Sequence, residues 1–346
     1  MAPASEIVVR HEYDRKPVWD RIRGRKSVFL DTNVWIDMAD GKLDAAKPIR
    51  EKLTELVGAG VLFCPLSRTI IWELFKQAKD SRLRTGGLME SLSLNACFTR
   101  PEEIFAWEFS VFLKRLASRC DEQCERHMLF VPVLGHLTSS CSLKYAADSP
   151  ADYVRESSKI IFDALSRMSL TDLLKLDTEV ISEFLRAAPA PPYQREAEFF
   201  RAFAKGDRDK VWTYEAAVVS KNVVEPIIKN LSASDVVTLH AFIGTAPKDK
   251  YGGILPTLMP RLPAVCNHVD VMALASEDPN RKDRPSDFYD LDMLPVPLAY
   301  ADVFVSRDRR IRDMLQNRGK LLHRNRCQFF SDYAAFGDWL GNAGIA

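Results

Sequence analysis

The sequence lacks an excess of charge of either sign. Its 48 lysines and arginines against 47 aspartates and glutamates leave a net charge of +1. No global field draws the chain to nucleic acid, so any such binding must come from local basic patches. A long apolar run is missing too, and the opening Met1-Ala-Pro-Ala-Ser-Glu6 is polar rather than signal-like. A cytoplasmic protein with no membrane partner is expected. Cysteine is too sparse for a disulfide framework: seven residues, at 64, 97, 120, 124, 141, 266 and 327, are an odd and scattered set. Free thiols in a reducing compartment follow. Cys120, Cys124 and His127 invite a zinc reading, but no second cysteine pair at zinc-finger spacing follows. Cysteines four apart on a helix share a face, and these two are read as structural. There is no glycine-rich dinucleotide turn, no internal repeat and no low-complexity tract.

What is present is a globular composition: 346 residues, 47% hydrophobic and 27% charged, enough for one large domain or two ordinary ones. The chain is organised around Ser27-Val-Phe-Leu-Asp-Thr-Asn-Val-Trp-Ile-Asp37. Val28, Phe29 and Leu30 read as a strand buried on both faces of a parallel sheet. The strand ends abruptly in Asp31, Thr32 and Asn33. Ligands bind at the carboxyl ends of such strands, and a carboxylate beside a hydroxyl and an amide is a candidate cation site. The same triplet is also a good helix start.

Residues 1–26 are polar and mixed in charge. Helical spacing then runs from Leu43 to Val57, with Ile49, Leu53, Leu56 and Val57 on one face, and Gly58 and Gly60 stop it. Val61–Cys64 reads as a second strand. Ser67 caps an amphipathic helix carrying Ile70, Ile71, Leu74, Phe75 and Ala78, with Glu73 inside it. A third short strand is expected around 95–98 and a helix over 102–118. From about 120 to 275 the pattern is helical, at 154–168, 170–185, 197–203, 214–228 and 233–243, with a Pro-rich break at 187–192. Strands return at Val303–Val305 and Cys327–Phe330, with a helix at 311–316 between them and a last helix from Tyr333. Strand and helix alternation at both ends implies one parallel sheet interrupted by a helical insertion.

Two strands end alike, Val28-Phe-Leu-Asp31 and Val303-Phe-Val-Ser-Arg-Asp308. If both lie in one parallel sheet, the two carboxylates leave the same edge and repel. A divalent metal relieves that repulsion, and hard oxygen ligands suit Mg2+ or Mn2+. Further acids are available at Glu73, Asp287, Asp290, Asp292 and Asp302. Glu108 is a candidate outer ligand.

With these pieces in place the sequence resembles the PIN-domain nuclease family. Phe29-Leu-Asp31-Thr-Asn33 is similar to its first acidic motif and Ile71-Trp-Glu73-Leu to its second. Ser286-Asp-Phe-Tyr-Asp290 is similar to the third and Val303-Phe-Val-Ser-Arg-Asp308 to the fourth. Ser306 stands where threonine is usual, and the span from Glu73 to Asp290 is far longer than in compact members. The resemblance implies an α/β, PIN-like Rossmannoid three-layer fold with a central parallel sheet, formed by residues 1–120 and 280–346. Residues 121–279 would be a large all-helical insertion. It also implies a metal-dependent nuclease, most often acting on RNA, with Asp31, Glu73, Asp290 and Asp308 holding Mg2+ or Mn2+. Asp287, Asp290 and Asp292 compete for the third position. Thr32, Asn33, Asp287, Asp302 and Ser306 would support the set. Small members are often toxins or defence effectors.

Basic residues surround these acids. Arg307, Arg309 and Arg310 flank Asp308, and Arg25 and Lys26 precede the first strand. Phosphate neutralisation by such groups would supply most non-specific affinity. A haloacid-dehalogenase phosphatase would need an acid where Asn33 stands. A non-catalytic PIN-like module binding RNA, or a protein partner through the helical insertion, stays open, as does a structure-specific DNA nuclease.

Overall fold

The computed structural model describes residues 6–10, 14–41, 43–116, 126–133, 142–146, 149–175, 197–245, 258, 261–278, 291–318 and 321–343. Asp287 and Asp290, and with them the third acidic motif, lie outside the described residues.

The strands among the described residues are β1 (Glu6–Arg10), β2 (Lys26–Leu30), β3 (Leu62–Phe63), β4 (Ala96–Phe98), β5 (Phe130–Pro132), β6 (Ser142–Ala146), β7 (Val303–Val305) and β8 (Gln328–Phe330). Four of them form one sheet in the order β3-β2-β7-β8. β2 pairs in parallel with β3, and β7 in parallel with β8 with Val303 opposite Gln328 and Val305 opposite Phe330. Helices accompany the strands throughout, so the expected α/β class with a parallel sheet is what the chain builds. Two further ladders are antiparallel, β1 with β6 and β4 with β5.

The described part of 121–279 is mostly helical but not all-helical, as β5 and β6 lie inside it. Phe130-Val-Pro132 is too short to show alternation. Ser142-Leu-Lys-Tyr-Ala146 gains its pairing from distant Glu6–Arg10, which no local pattern reveals.

The chain divides into two compact units. The first comprises 1–98, 130–189 and 333–346. Val28, Phe29 and Leu30 are fully buried in it, each worth roughly 1.5–3 kcal/mol of burial. Phe29 meets Phe98, Phe98 stacks on Phe130 with centroids 5.0 Å apart, and Phe63 meets Phe130 edge-on. The Ala46–Gly58 helix buries the expected Ile49, Leu53, Leu56 and Val57, and Gly60 follows it at φ 80°. The Arg68–Phe75 helix starts at Ser67, whose hydroxyl accepts from Ile70 N at 3.4 Å. The last helix, Tyr333–Ala343, is tied back by Tyr333 Oη donating to Asp37 Oδ2 at 2.8 Å.

The second unit comprises 99–129 and 190–332. Its centre is the Pro263–Ser276 helix, of which every residue from Ala264 to Ser276 except Asp270 is buried. The Pro101–Leu116, Arg208–Val219 and Pro295–Tyr300 helices surround it. A helix buried on nearly all sides carries no apolar stripe, and the sequence pattern accordingly gives no helix here. Asn267 and Asn325 bond to each other in both directions, at 3.0 and 3.2 Å, inside this apolar setting. No described helix is long and apolar enough to cross a membrane.

Candidate functional site

Asp31 stands at the carboxyl end of β2, 5% exposed. It is the N-cap of the Thr32–Asp40 helix, and its Oδ1 accepts from Thr32 N at 2.7 Å. The strand-to-helix turn explains the sequence: an apolar strand needs no polar group until its end, and the helix start needs an acceptor. The positive end of the helix dipole lies beside this carboxyl group. Thr32 is half-buried and Asn33 exposed. Thr32 supplies the backbone donor to Asp31, whereas Asn33 makes no side-chain hydrogen bond among the described residues. Glu73 lies half-exposed on the Arg68–Phe75 helix and pairs with Lys76 one turn on.

In the second unit the same device recurs at the end of β7. Asp308 caps the short Arg309–Arg312 helix, with Oδ1 accepting from Arg310 N at 2.6 Å and Ile311 N at 3.3 Å. Among the described residues Oδ2 accepts none. Ser306, fully buried, accepts from Asp308 N at 3.1 Å, and its own N–H extends the ladder to Phe330 O. Ser306 therefore sets the turn that presents Asp308. Asp302 is half-buried before β7. The Cys327 thiol is pushed up to about 12, chiefly by burial and further by the Asp302 charge.

The basic residues divide by setting. Arg307, Arg309 and Arg310 are exposed, and Arg309 comes within 3.9 Å of Asp313. Lys26 is exposed at the start of β2. Arg25 is different: its Nη1 donates to Val57 O at 2.7 Å, which closes the carboxyl end of the Ala46–Gly58 helix.

The donor chemistry of these carboxylates suits a hard cation. Among the described residues, however, no group of three or more His, Cys, Asp or Glu side chains is placed to hold a metal ion. Glu108, the candidate outer ligand, has another task. From the Pro101–Leu116 helix it accepts from Ala264 N at 2.8 Å and Val265 N at 3.2 Å, and from the Tyr300 hydroxyl. It thereby caps the Pro263–Ser276 helix, whose own N-cap, Leu262, offers no side-chain acceptor. Burial pushes Glu108 up to about 7, against the pull of its three donors.

A second polar group surrounds the same central helix and escaped sequence reasoning. His268 Nε2 lies 3.3 Å from Oε1 of the fully buried Glu215, and Nδ1 lies 3.8 Å from Oδ1 of Asp292. Trp212 donates to Asp270 at 3.0 Å. The available signal was the pair Asn267-His268 interrupting an apolar run. Asp292, which competed for the third metal position, faces this imidazole.

The parallel sheet, with an acid after β2 and another after β7, places the chain among α/β proteins of a generic Rossmannoid kind. Scanned against models of known families, against curated proteins and against solved structures, the chain finds no match.

Proposed function

We propose that the chain is a metal-dependent nuclease that hydrolyses phosphodiester bonds, with RNA as the favoured substrate. The observation that carries this reading is the repeated turn at Asp31 and Asp308: a buried strand, a carboxylate at its end, and a helix opened by that carboxylate. Its likeness to the first and fourth acidic motifs of PIN-domain nucleases supports it further. In this reading Asp31, Glu73, Asp290 and Asp308 hold Mg2+ or Mn2+, assisted by Asp287 or Asp302. The metal supplies charge neutralisation at the phosphoryl oxygens and a more acidic bound water. The chain's own residues do the rest. Thr32 N and the Asp308 turn fix the carboxylates, and Arg307, Arg309 and Arg310 attract the backbone phosphates. The mostly helical 121–279 stretch is the place for a protein partner.

A second reading, a module that binds RNA without cutting it, is favoured by two observations. Glu73 is already paired with Lys76, and no described group of three ligands gathers. Incubating end-labelled RNA and DNA with Mn2+ and either wild type or Asp31→Ala separates the readings. Cleavage of RNA by wild type alone supports the ribonuclease, cleavage of DNA alone the DNA nuclease, and RNA binding with no cleavage the module.

A further inference from the structure

The first unit buries an arginine that pairs with no anion among the described residues. Arg82, in the second turn of the Lys79–Ser93 helix, is 3% exposed. Among the described residues its guanidinium forms no ion pair or hydrogen bond, and Nε is fully buried without a partner. Side chains on a helix lean toward its N-terminus. Arg82 follows that rule, with its guanidinium 5.9 Å from the ring centroid of Phe75, the last residue of the preceding helix.

Two further donors lie at the same helix junction. Gln77 Oε1 accepts from Ser81 Oγ at 3.1 Å and Thr85 Oγ1 at 3.4 Å, which fixes the amide on the first turns of the Lys79–Ser93 helix. Its donor end, Nε2, is buried and unpartnered among the described residues. The helix itself opens after Ala78 with no side-chain cap, so its first N–H groups are available, at the positive end of a 15-residue dipole. The neighbouring charges are exposed or already paired. Lys79 and Asp80 face solvent, Lys76 pairs with Glu73, and Arg84 pairs with Asp40 at 3.2 Å.

An unpaired charge taken out of water is costly, and here it sits with a buried amide donor and an uncapped helix start. All three are donors, and among the described residues none has a side-chain acceptor. We propose that the junction between the Arg68–Phe75 and Lys79–Ser93 helices is an anion site that takes a phosphate group. Arg82 is its buried cation, with Gln77 Nε2 and the helix N–H groups as further donors. Phosphate fits better than carboxylate because it presents enough oxygens to serve a guanidinium fork, an amide and a helix end together. The phosphate is either free or the end of a nucleic acid strand. The site does not rest on the nuclease reading and would stand in a chain that cuts nothing.

The test uses the full chain with EDTA present, at ionic strength fixed with sodium chloride. Inorganic phosphate, a 5′-phosphorylated tetraribonucleotide and the same tetraribonucleotide without its phosphate are each titrated by calorimetry, and Tm is followed. Wild type should bind inorganic phosphate, the 5′-phosphorylated strand or both, with a rise in Tm, and ignore the unphosphorylated strand. Which of the first two binds identifies the source. Arg82→Met should lose at least tenfold in phosphate affinity while its Tm without phosphate equals or exceeds that of wild type, since an unpaired buried charge is gone. Gln77→Met, which leaves Arg82 in place, should weaken phosphate binding several-fold and serves if Arg82→Met does not fold. No phosphate binding by wild type at fixed ionic strength, or the same affinity in the folded variants, would overturn the site.

Discussion

The Tyr300 hydroxyl donates to the Glu108 carboxylate, and that carboxylate also caps the Pro263–Ser276 helix through Ala264 and Val265. One buried acid thus joins three helices of the second unit, and its titration is coupled to folding.

Burial raises Glu108 from its ordinary 4.5 to about 7. Between those values it is protonated in the native chain and ionised in the unfolded one. The unfolded state then binds fewer protons, so stability falls as pH rises through this window and levels off above it. A shift of this size is worth on the order of 3 kcal/mol. Urea midpoints measured from pH 4.5 to pH 8 should show the fall. Glu108→Gln cannot titrate and should flatten that part of the profile. The same slope in Glu108→Gln would assign it to other groups.

Gly86 lies inside the Lys79–Ser93 helix, where alanine would ordinarily gain about 1 kcal/mol of helix propensity. A Cβ there would stand 2.1 Å from Leu174 Cδ1, and Leu174 is fully buried. Gly86→Ala should therefore destabilise by about 1–3 kcal/mol through overpacking. Adding Leu174→Ala should make the two changes less costly than their sum. A more stable Gly86→Ala protein would contradict this contact.

Arg309 is 84% exposed in its side chain and only loosely paired with Asp313. Arg309→Glu should weaken RNA binding alike across sequences and reduce the salt slope of log Kobs by about 1. Unchanged affinity and slope, measured by filter binding at several salt concentrations, would make Arg309 an ordinary surface charge.

Much of the sheet and its flanking helices was legible because burial there writes a local pattern. β2 shows a continuous apolar run, the Ala46–Gly58 helix a clean stripe, and Ser67 and Asp31 a cap before each helix start. The Pro263–Ser276 helix was not legible, because burial on nearly all sides erases periodicity. The Lys79–Ser93 helix was hidden by Gly86 and Gly87, residues that weaken a helix locally; Gly86 is tolerated here because Leu174 packs where its Cβ would stand. The role of Glu108 was misread for a similar reason. Its partners are backbone N–H groups more than 150 residues away, and a backbone donor leaves no trace in a sequence. Asp31 and Asp308 were legible as strand-end acids, and their capping roles follow from the helices they open.

The central claim is that the two strand-end carboxylates carry metal-dependent cleavage. Asparagine keeps the size of aspartate and is itself a good N-cap, so Asp31→Asn and Asp308→Asn should fold with Tm within a few degrees of wild type. The most direct measurement is the rate of cleavage of end-labelled RNA in Mn2+ by wild type and these two variants, with circular dichroism of each. Wild-type cleavage that disappears on adding EDTA, and a loss of at least about a hundredfold in each folded variant, is the predicted result. Full activity in both variants, or no cleavage by wild type in Mn2+ or Mg2+, would contradict the nuclease account.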